Sequence, residues 1–299
     1  MTHIVTNVND NERIDNYLIN VLNKSRSKIQ NLIKNGNIRV NNKNIKSSYI
    51  LKQGDIVDID EIKEEQISAK PEKIDLNIVY EDDDIIVVNK QNGLVVHPAV
   101  GNPSGTLVNG LMYHSKNLSK INGEFRPGIV HRIDAYTTGL LVIAKNDYAH
   151  EFLAKQLEEK TTYRKYVALV WGVIQNDTGT INAPIGRDKL DRKKMAVTSE
   201  NSKSAITHFR VLERYKNATL IELQLETGRT HQIRVHMNYI GYPIVNDPVY
   251  GKRKLIDNTG QCLHAKELGF VHPKTKEYIC FDSQLPIEFI NILNTFKEE

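Results

Sequence analysis

Apolar positions recur along this chain with two different periods, and the change comes near residue 78. In "ERIDNYLINVL" (residues 12–22), Ile14, Tyr17, Leu18, Val21 and Leu22 fall at i, i+3, i+4, i+7 and i+8. That spacing predicts an amphipathic helix with one buried stripe. A second helix is predicted from Ser25 as N-cap to Gly36 as its stop, burying Ile29, Leu32 and Ile33. On it Arg26, Gln30 and Lys34, four apart, predict a shared solvent-facing row. Short strands are expected at "NIRVNN" and "DIVDID", completing a small helix-plus-hairpin module over residues 1–62. Residues 63–77, acidic and containing Pro71, read as a linker.

From "NIVYEDDDIIVVNK" onward the pattern is β-rich and broken by Gly and Pro, with a helix expected around residues 147–159. Further strands are predicted at "RKYVALVWGVI", "SAITHFRVLERY", "ATLIELQLET" and "HQIRVHM". Hairpin-like succession outweighs strand–helix alternation here. Residues 78–299 are therefore expected to form an α+β domain with a mixed, mainly antiparallel β-sheet flanked by helices.

Charge sharpens this division. Residues 24–52 carry Lys24, Arg26, Lys28, Lys34, Arg39, Lys43, Lys46 and Lys52 with no acid, whereas residues 53–84 hold twelve acids against three lysines. Solvation explains most mixed charged faces. An unbroken single-sign stretch on a small module is better explained by contacts to phosphates. The overall composition, 299 residues with 40% hydrophobic and 25% charged, is that of an ordinary globular chain, and the net charge of +4 adds little.

Several function classes are disfavoured. Cys262 and Cys280 offer neither a disulfide framework nor zinc-type spacing, which fits a reducing cytoplasm. The N-terminus lacks the apolar run of a signal peptide, and no run of 18 apolar residues suggests a membrane span. G-x-G-x-x-G, G-x-x-x-x-G-K-[ST] and H-E-x-x-H are all missing.

Three polar clusters interrupt the apolar pattern. In "IVHRIDAYTTGLLVIAK" (129–145), two apolar runs read as strands around a turn, with His131, Arg132 and Asp134 at the end of the first. In "YRKYVALVWG", Tyr166 follows Arg164 by two residues at the start of an apolar strand. In "TGRTHQIRVHM" lie Arg229, His231, Arg234 and His236; read as a strand, this puts Arg234 and His236 on one face. Each has a plainer explanation: an Asp capping a turn, a core tyrosine, a surface arginine paired with any carboxylate. His231 and His236, five apart in a strand, would point to opposite faces, so a shared metal is not expected.

These segments, taken together, closely resemble the ribosomal large-subunit pseudouridine synthases of the RluA/RluD type. "GIVHRIDAYTTGLLVIAK" is similar to that family's catalytic segment, "RKYVALVWG" to its tyrosine motif and "LETGRTHQIRVHM" to its arginine motif. "YEDDDIIVVNKQNGLVVHPAVGNPSGTLVNGL" and "NDPVYG" also resemble the family's domain, and the basic N-terminal module resembles an S4 RNA-binding domain. The chain departs from the family pattern at Gln91, where Pro is common, and at Asn246, where Gly usually precedes Asp-Pro. It departs again at Ala135–Tyr136, in place of a charged pair.

The resemblance implies an S4-like domain at 1–62 and a pseudouridine synthase domain at 78–299, converting uridine in RNA to pseudouridine. The glycosidic bond breaks, the uracil turns, and C5 re-bonds to C1′, with no redox change and no metal or other cofactor. It implies Asp134 as the catalytic carboxylate, Arg234 as its charge partner and Tyr166 as the ring against a flipped-out uracil. By the same analogy Arg132 holds the opened RNA, and Arg26, Lys28, Lys34 and Arg39 of the basic module contact phosphates. The expected partner is RNA, foremost ribosomal RNA of the large subunit, with no membrane and a monomeric, cytoplasmic enzyme. The competing readings are the same reaction on tRNA or another RNA, a non-catalytic RNA-binding assembly factor, and, more distantly, a metal-dependent RNA hydrolase.

Overall fold

The two continuous apolar runs "DIIVVNK" and "TGLLVIAK" pair as antiparallel strands, second and third from one edge of a nine-stranded sheet. They lack hydrophobic–polar alternation because both faces of the sheet are covered there. The computed structural model describes residues 2–5, 12–24, 26–60, 69–99, 101–123, 126–191, 194–251, 253 and 255–297. The chain divides into two compact units, Met1–Gln66 and Ile67–Glu299.

The smaller unit contains β1 (Thr2–Ile4), α1 (Ile14–Leu22), α2 (Arg26–Lys34), β2 (Ile38–Val40), β3 (Lys43–Asn44) and β4 (Ile56–Ile59). Its sheet has the order β1-β4-β2-β3, all antiparallel. Ile14 and Leu18 of α1 and Ile29, Leu32 and Ile33 of α2 pack with Ile38, Val40, Val57 and Ile59, as the helical spacing predicts. Ser25 lies outside the described residues. Gly36 follows the helix at a positive φ of 76°, the conformation a helix stop needs.

The expected solvent row on α2 is altered by Asp15, which is fully buried. Arg13, Arg26 (Nε, 3.1 Å) and Gln30 (Nε2, 2.7 Å) all donate to its carboxylate. Only Lys34 of the row, together with Lys28, stays exposed on that helix without an acid partner among the described residues. Arg39 donates to both oxygens of Asp60. The acid-free stretch is thus partly neutralised by carboxylates from outside it.

The larger unit contains β5 (Ile78–Glu81), β6 (Ile85–Lys90), α3 (Leu107–His114), β7 (Thr138–Ala144), α4 (Asp147–Glu158), β8 (Tyr163–Trp171) and β9 (Thr178–Asn182). There follow β10 (Ile185–Arg187), β11 (Met195–Val197), β12 (Ile206–Arg214), β13 (Ala218–Leu225), α5 (Gln232–Tyr239), β14 (Leu263–Val271), β15 (Tyr278–Asp282) and α6 (Ile287–Lys297). The main sheet runs β5-β6-β7-β14-β8-β13-β12-β9, with β15 beside β14. It is antiparallel apart from β7 and β14, which pair in parallel through His264↔Thr138 and Ala265↔Gly139. The α+β class with a mixed, mainly antiparallel sheet is as expected.

Alternate residues of β6 and β7 feed two cores. Ile86, Val88, Leu141 and Ile143 join α3, α5 and α6 on one side, and Ile85, Val87, Leu140 and Val142 meet Ala149 and Leu153 of α4 on the other. The unit boundary falls within the 63–77 segment, and its later part lies along the larger unit. Ala69 is buried in that core, Ile74 and Leu76 pack against it, and Asn109 donates to the Lys70 carbonyl at 2.8 Å.

Two expectations are corrected. "HQIRVHM" is a helix, α5, and every residue from Gln232 to Met237 is buried. A helix enclosed on all sides imposes no apolar stripe, so the Ile-Arg-Val-His-Met alternation carried no face information. "IVHRID" is not a strand either: only Ile129 makes a single bridge, to Ile143, and residues 131–134 are irregular. Arg132 and Asp134 are therefore not aligned by a pleat.

Burial works against the Asp15 carboxylate, but the donors Arg13, Gln30 and Arg26 outweigh it and pull its pKa from 3.8 to about 2. A carboxylate depressed in the folded state stabilises above its unfolded pKa, and the contribution vanishes as pH falls through the folded one. Protection of the Ile29, Leu32 and Ile33 amides against hydrogen exchange should therefore fall between about pH 4 and pH 2. In Asp15→Asn it should be lower at neutral pH and flat across that interval.

Candidate active site

Asp134 is held by the turn that precedes β7. Thr137 N–H donates to the Asp134 carbonyl at 3.1 Å, and Gln261 Nε2 donates to Thr137 Oγ1 at 3.0 Å. Next, Thr138 Oγ1 lies 2.7 Å from His264 Nδ1, tying the start of β7 to β14. Gly139 permits this close parallel pairing: its φ is +108°, and a Cβ there would lie 2.2 Å from the Ala265 carbonyl oxygen. Beneath the turn, Lys90 at the end of β6 is wholly buried and donates to the carbonyls of Ala135 (2.7 Å) and Gln91 (3.0 Å). Burial pulls its ammonium down to about 7, partly offset by the charge of Asp134.

His131 is part of the scaffold. Its Nε2 accepts from Val142 N–H at 3.1 Å, and burial lowers its pKa to about 3, so the ring is neutral. Arg132 is exposed and reaches the rim of the same site.

The partner of Asp134 comes from α5. Arg234 donates from Nη1 to Asp134 Oδ2 at 2.8 Å, and from Nε and Nη2 to the two oxygens of Asp247 at 2.7 and 2.8 Å. Burial opposes its charge, but Asp247 and Asp134 outweigh it and raise its pKa. Asp247 is itself buried, and it accepts from the backbone N–H of Val249 and Tyr250. Desolvation pushes its carboxyl up, yet Arg234 and those amides hold it below the ordinary value. Tyr250 lies under the guanidinium, 5.1 Å from ring centre to Cζ, and its hydroxyl meets His231 Nδ1 at 2.8 Å. The other imidazole nitrogen of His231 stands 3.8 Å from Asp134 Oδ1.

Asp247, Tyr250 and Lys90 were not singled out from the sequence. The signals available were the buried "NDPVYG" turn and a lysine ending an apolar strand. Asn246 has φ +61°, a region open to Gly and tolerated by Asn, which accounts for this departure from the family's Gly. Its side chain also ties the loop over residues 256–260, donating to Asp257 and to the Gly260 carbonyl and accepting from Ile256 N–H.

Tyr166, on β8, completes the group. It is buried, and burial together with Asp134 keeps its phenol protonated despite nearby Arg164. Asp134, Arg132, Tyr166 and Arg234 all line one cavity of about 440 Å³. Arg126, Arg164 and Arg229 line it too, against the two acids Asp134 and Glu158. An open-mouthed, cationic cleft of this size, with one carboxylate at an arginine and a ring beside it, suits an anionic polymer presenting a single residue.

Residues 84–239 match the sequence model of the RNA pseudouridylate synthase family, and residues 12–57 match that of the S4 domain. The chain is 54% identical over 288 residues to "Uncharacterized RNA pseudouridine synthase YlyB" of Bacillus subtilis, spanning 96% of this chain and 95% of the relative. It is 42% identical to "Ribosomal large subunit pseudouridine synthase D" of Zymomonas mobilis, over 92% of this chain and 90% of that one. Among solved structures, human RNA Pseudouridylate Synthase Domain Containing 1 superposes with a TM-score of 0.60 at 25% identity, over 75% of this chain and 96% of that one. The chain belongs to the RNA pseudouridylate synthase family. It is an RNA pseudouridine synthase, an isomerase, carrying an S4 RNA-binding domain.

Asp247→Ala leaves the Arg234 charge with one carboxylate in place of two. Breaking a buried pair in this way should destabilise the larger unit by roughly 3–5 kcal/mol, read by urea unfolding followed through Trp171 fluorescence.

Proposed function

We propose that Asp134 is the catalytic carboxylate of this synthase, and that its target is uridine in ribosomal RNA of the large subunit. The observation that carries the first part is the convergence of Asp134, Arg234 and Tyr166 on one cavity. The second part rests on relatives named as large-subunit synthases that match over most of their length.

Arg234 engages one oxygen of Asp134, which fixes the carboxylate's orientation. The remaining oxygen either attacks C1′ or accepts the proton from C2′; both break the glycosidic bond next to the carboxylate. The freed uracil turns, C5 bonds to C1′, and the C5 hydrogen leaves as a proton. Tyr166 supplies a face for the base once it has left its stack. Stacking of about 1–3 kcal/mol offsets part of an unstacking cost of a few kcal/mol. Arg132, exposed at the rim, holds the opened strand.

In the S4 domain, Arg26 and Arg39 are steadied by Asp15 and Asp60, and the exposed Lys28 and Lys34 carry the phosphate contacts. The enzyme acts as a cytoplasmic monomer. Among the described residues no helix is long and apolar enough to cross a membrane.

Asp134→Asn should lower tritium release from C5-labelled large-subunit transcript by at least about a hundredfold, with filter binding of that transcript unchanged. Activity within tenfold of wild type would refute the assignment. The double variant Lys28→Gln/Lys34→Gln should keep its cavity chemistry but reduce the slope of log affinity against log salt by about 1.4–1.8. An unchanged slope would remove these lysines from the RNA interface.

A further inference from the structure

Two arginines face the same cavity in opposite electrostatic situations. Arg234 is neutralised by Asp134 and Asp247. Arg164, the second residue of β8, is only 6% exposed and has no such partner. Its one hydrogen bond runs from Nη2 to the backbone carbonyl of Glu226 at a long 3.4 Å, and its Nε is buried with none. The carboxylate of Glu226 is engaged elsewhere, with His208 and Lys160. No carboxylate among the described residues lies within ion-pair distance of Arg164. The adjacent Lys165, on the other face of the strand, by contrast binds both Glu222 and Glu267.

A buried guanidinium left this way costs stability unless a ligand completes it. The surroundings keep the space open: at Gly228, which also lines the cavity, a Cβ would come within 2.8 Å of Arg164 Nη1. Arg164 and Tyr166 are i and i+2 on one strand, so both point into the cavity, about 6.6 Å apart along it. The two side chains are thus neighbours on one wall of the cavity, which lets a single nucleotide meet both.

We propose that Arg164 is the binding site for a backbone phosphate of the RNA, the one joined to the nucleotide whose base lies at Tyr166. A uracil still joined to its ribose offers only neutral carbonyls, which leave a buried cation uncompensated in the bound complex. A phosphate supplies the charge and the paired oxygens that fit the planar guanidinium fork. The protein thus stores an unpaired charge that the substrate neutralises on entry. The inference rests on taking this cavity as the place where the target nucleotide reacts.

The test compares full-length wild type, Arg164→Met and Arg164→Lys on unmodified large-subunit ribosomal transcript, by filter binding over a potassium chloride series and by thermal unfolding. Arg164→Met should bind about 10- to 100-fold more weakly, with the salt slope reduced by about 0.7–0.9, one phosphate contact. Its midpoint of unfolding should stay level or rise, since an unpaired buried charge has been replaced by an apolar chain. Arg164→Lys keeps the charge, so it should keep the salt slope while losing affinity with the fork. An unchanged salt slope in Arg164→Met overturns the proposal whatever the melting temperature does. A reduced slope in Arg164→Met with wild-type slope in Arg164→Lys supports it. Failure here alone leaves the activity loss of Asp134→Asn standing, whereas a mistaken cavity would leave both variants unaffected.

Discussion

The guanidinium of Arg234 is the fixed point around which the site is built. It bridges a carboxylate at the cavity, Asp134, and a carboxylate in the core, Asp247. The inner bond is bidentate and reinforced by two backbone amides on Asp247, so the arginine cannot follow Asp134 if that residue moves. Three sequence-distant pieces are thereby locked together: the turn before β7, helix α5 and the turn after residue 245. Such a network adds little net stability, because desolvating the charges offsets their attraction. Its contribution is position, which an isomerase acting on one bond needs more than strength.

The sheet supplies the other half of that positioning. The one parallel pairing, β7 with β14, brings the Asp134 turn against the strand next to β8, where Tyr166 sits. Lys90 then clamps the turn from below through the carbonyls of Ala135 and Gln91, at the cost of burying an ammonium whose pKa falls to about 7. Lys90 and Arg164 are both cations held inside at some expense to stability. Buried charge collects around the site, as it does where function sets the local chemistry and the rest of the fold compensates.

The smaller unit uses the same device for a different purpose. Asp15 gathers Arg13, Arg26 and Gln30 at the junction of its two helices, and Asp60 fixes Arg39. A module this small has limited apolar area to bury, so paired charges help define the packing of α1 on α2. On α2, Lys28 and Lys34 are exposed without an acid partner among the described residues, whereas Arg26, also exposed, is paired with Asp15.

Where a single physical rule acted locally, the sequence was sufficient. Ile29, Leu32 and Ile33 form a helical stripe because one face of α2 is buried and the other wet. The runs at β6, β7 and β8 are strands because β-branched residues fit a sheet covered on both sides. The clusters around Asp134, Tyr166 and Arg234 stood out as polar residues in apolar surroundings, but no local rule assigned their roles, which came only from the family resemblance. The same i, i+3, i+4, i+7 spacing marks Phe289, Ile292, Leu293 and Phe296 of α6, which motif reading passed over. Tertiary structure alone decided the rest. Helix α5 is buried on every side from Gln232 to Met237, so its alternating residues had no face to report, and its period misled. Asp247 and Arg164 are ordinary residues in the chain; one is paired and the other unpaired only because strands and turns far apart in sequence meet there. Long-range pairing of charges in a low-dielectric interior leaves no periodic trace in sequence, since nothing local fixes which partner arrives.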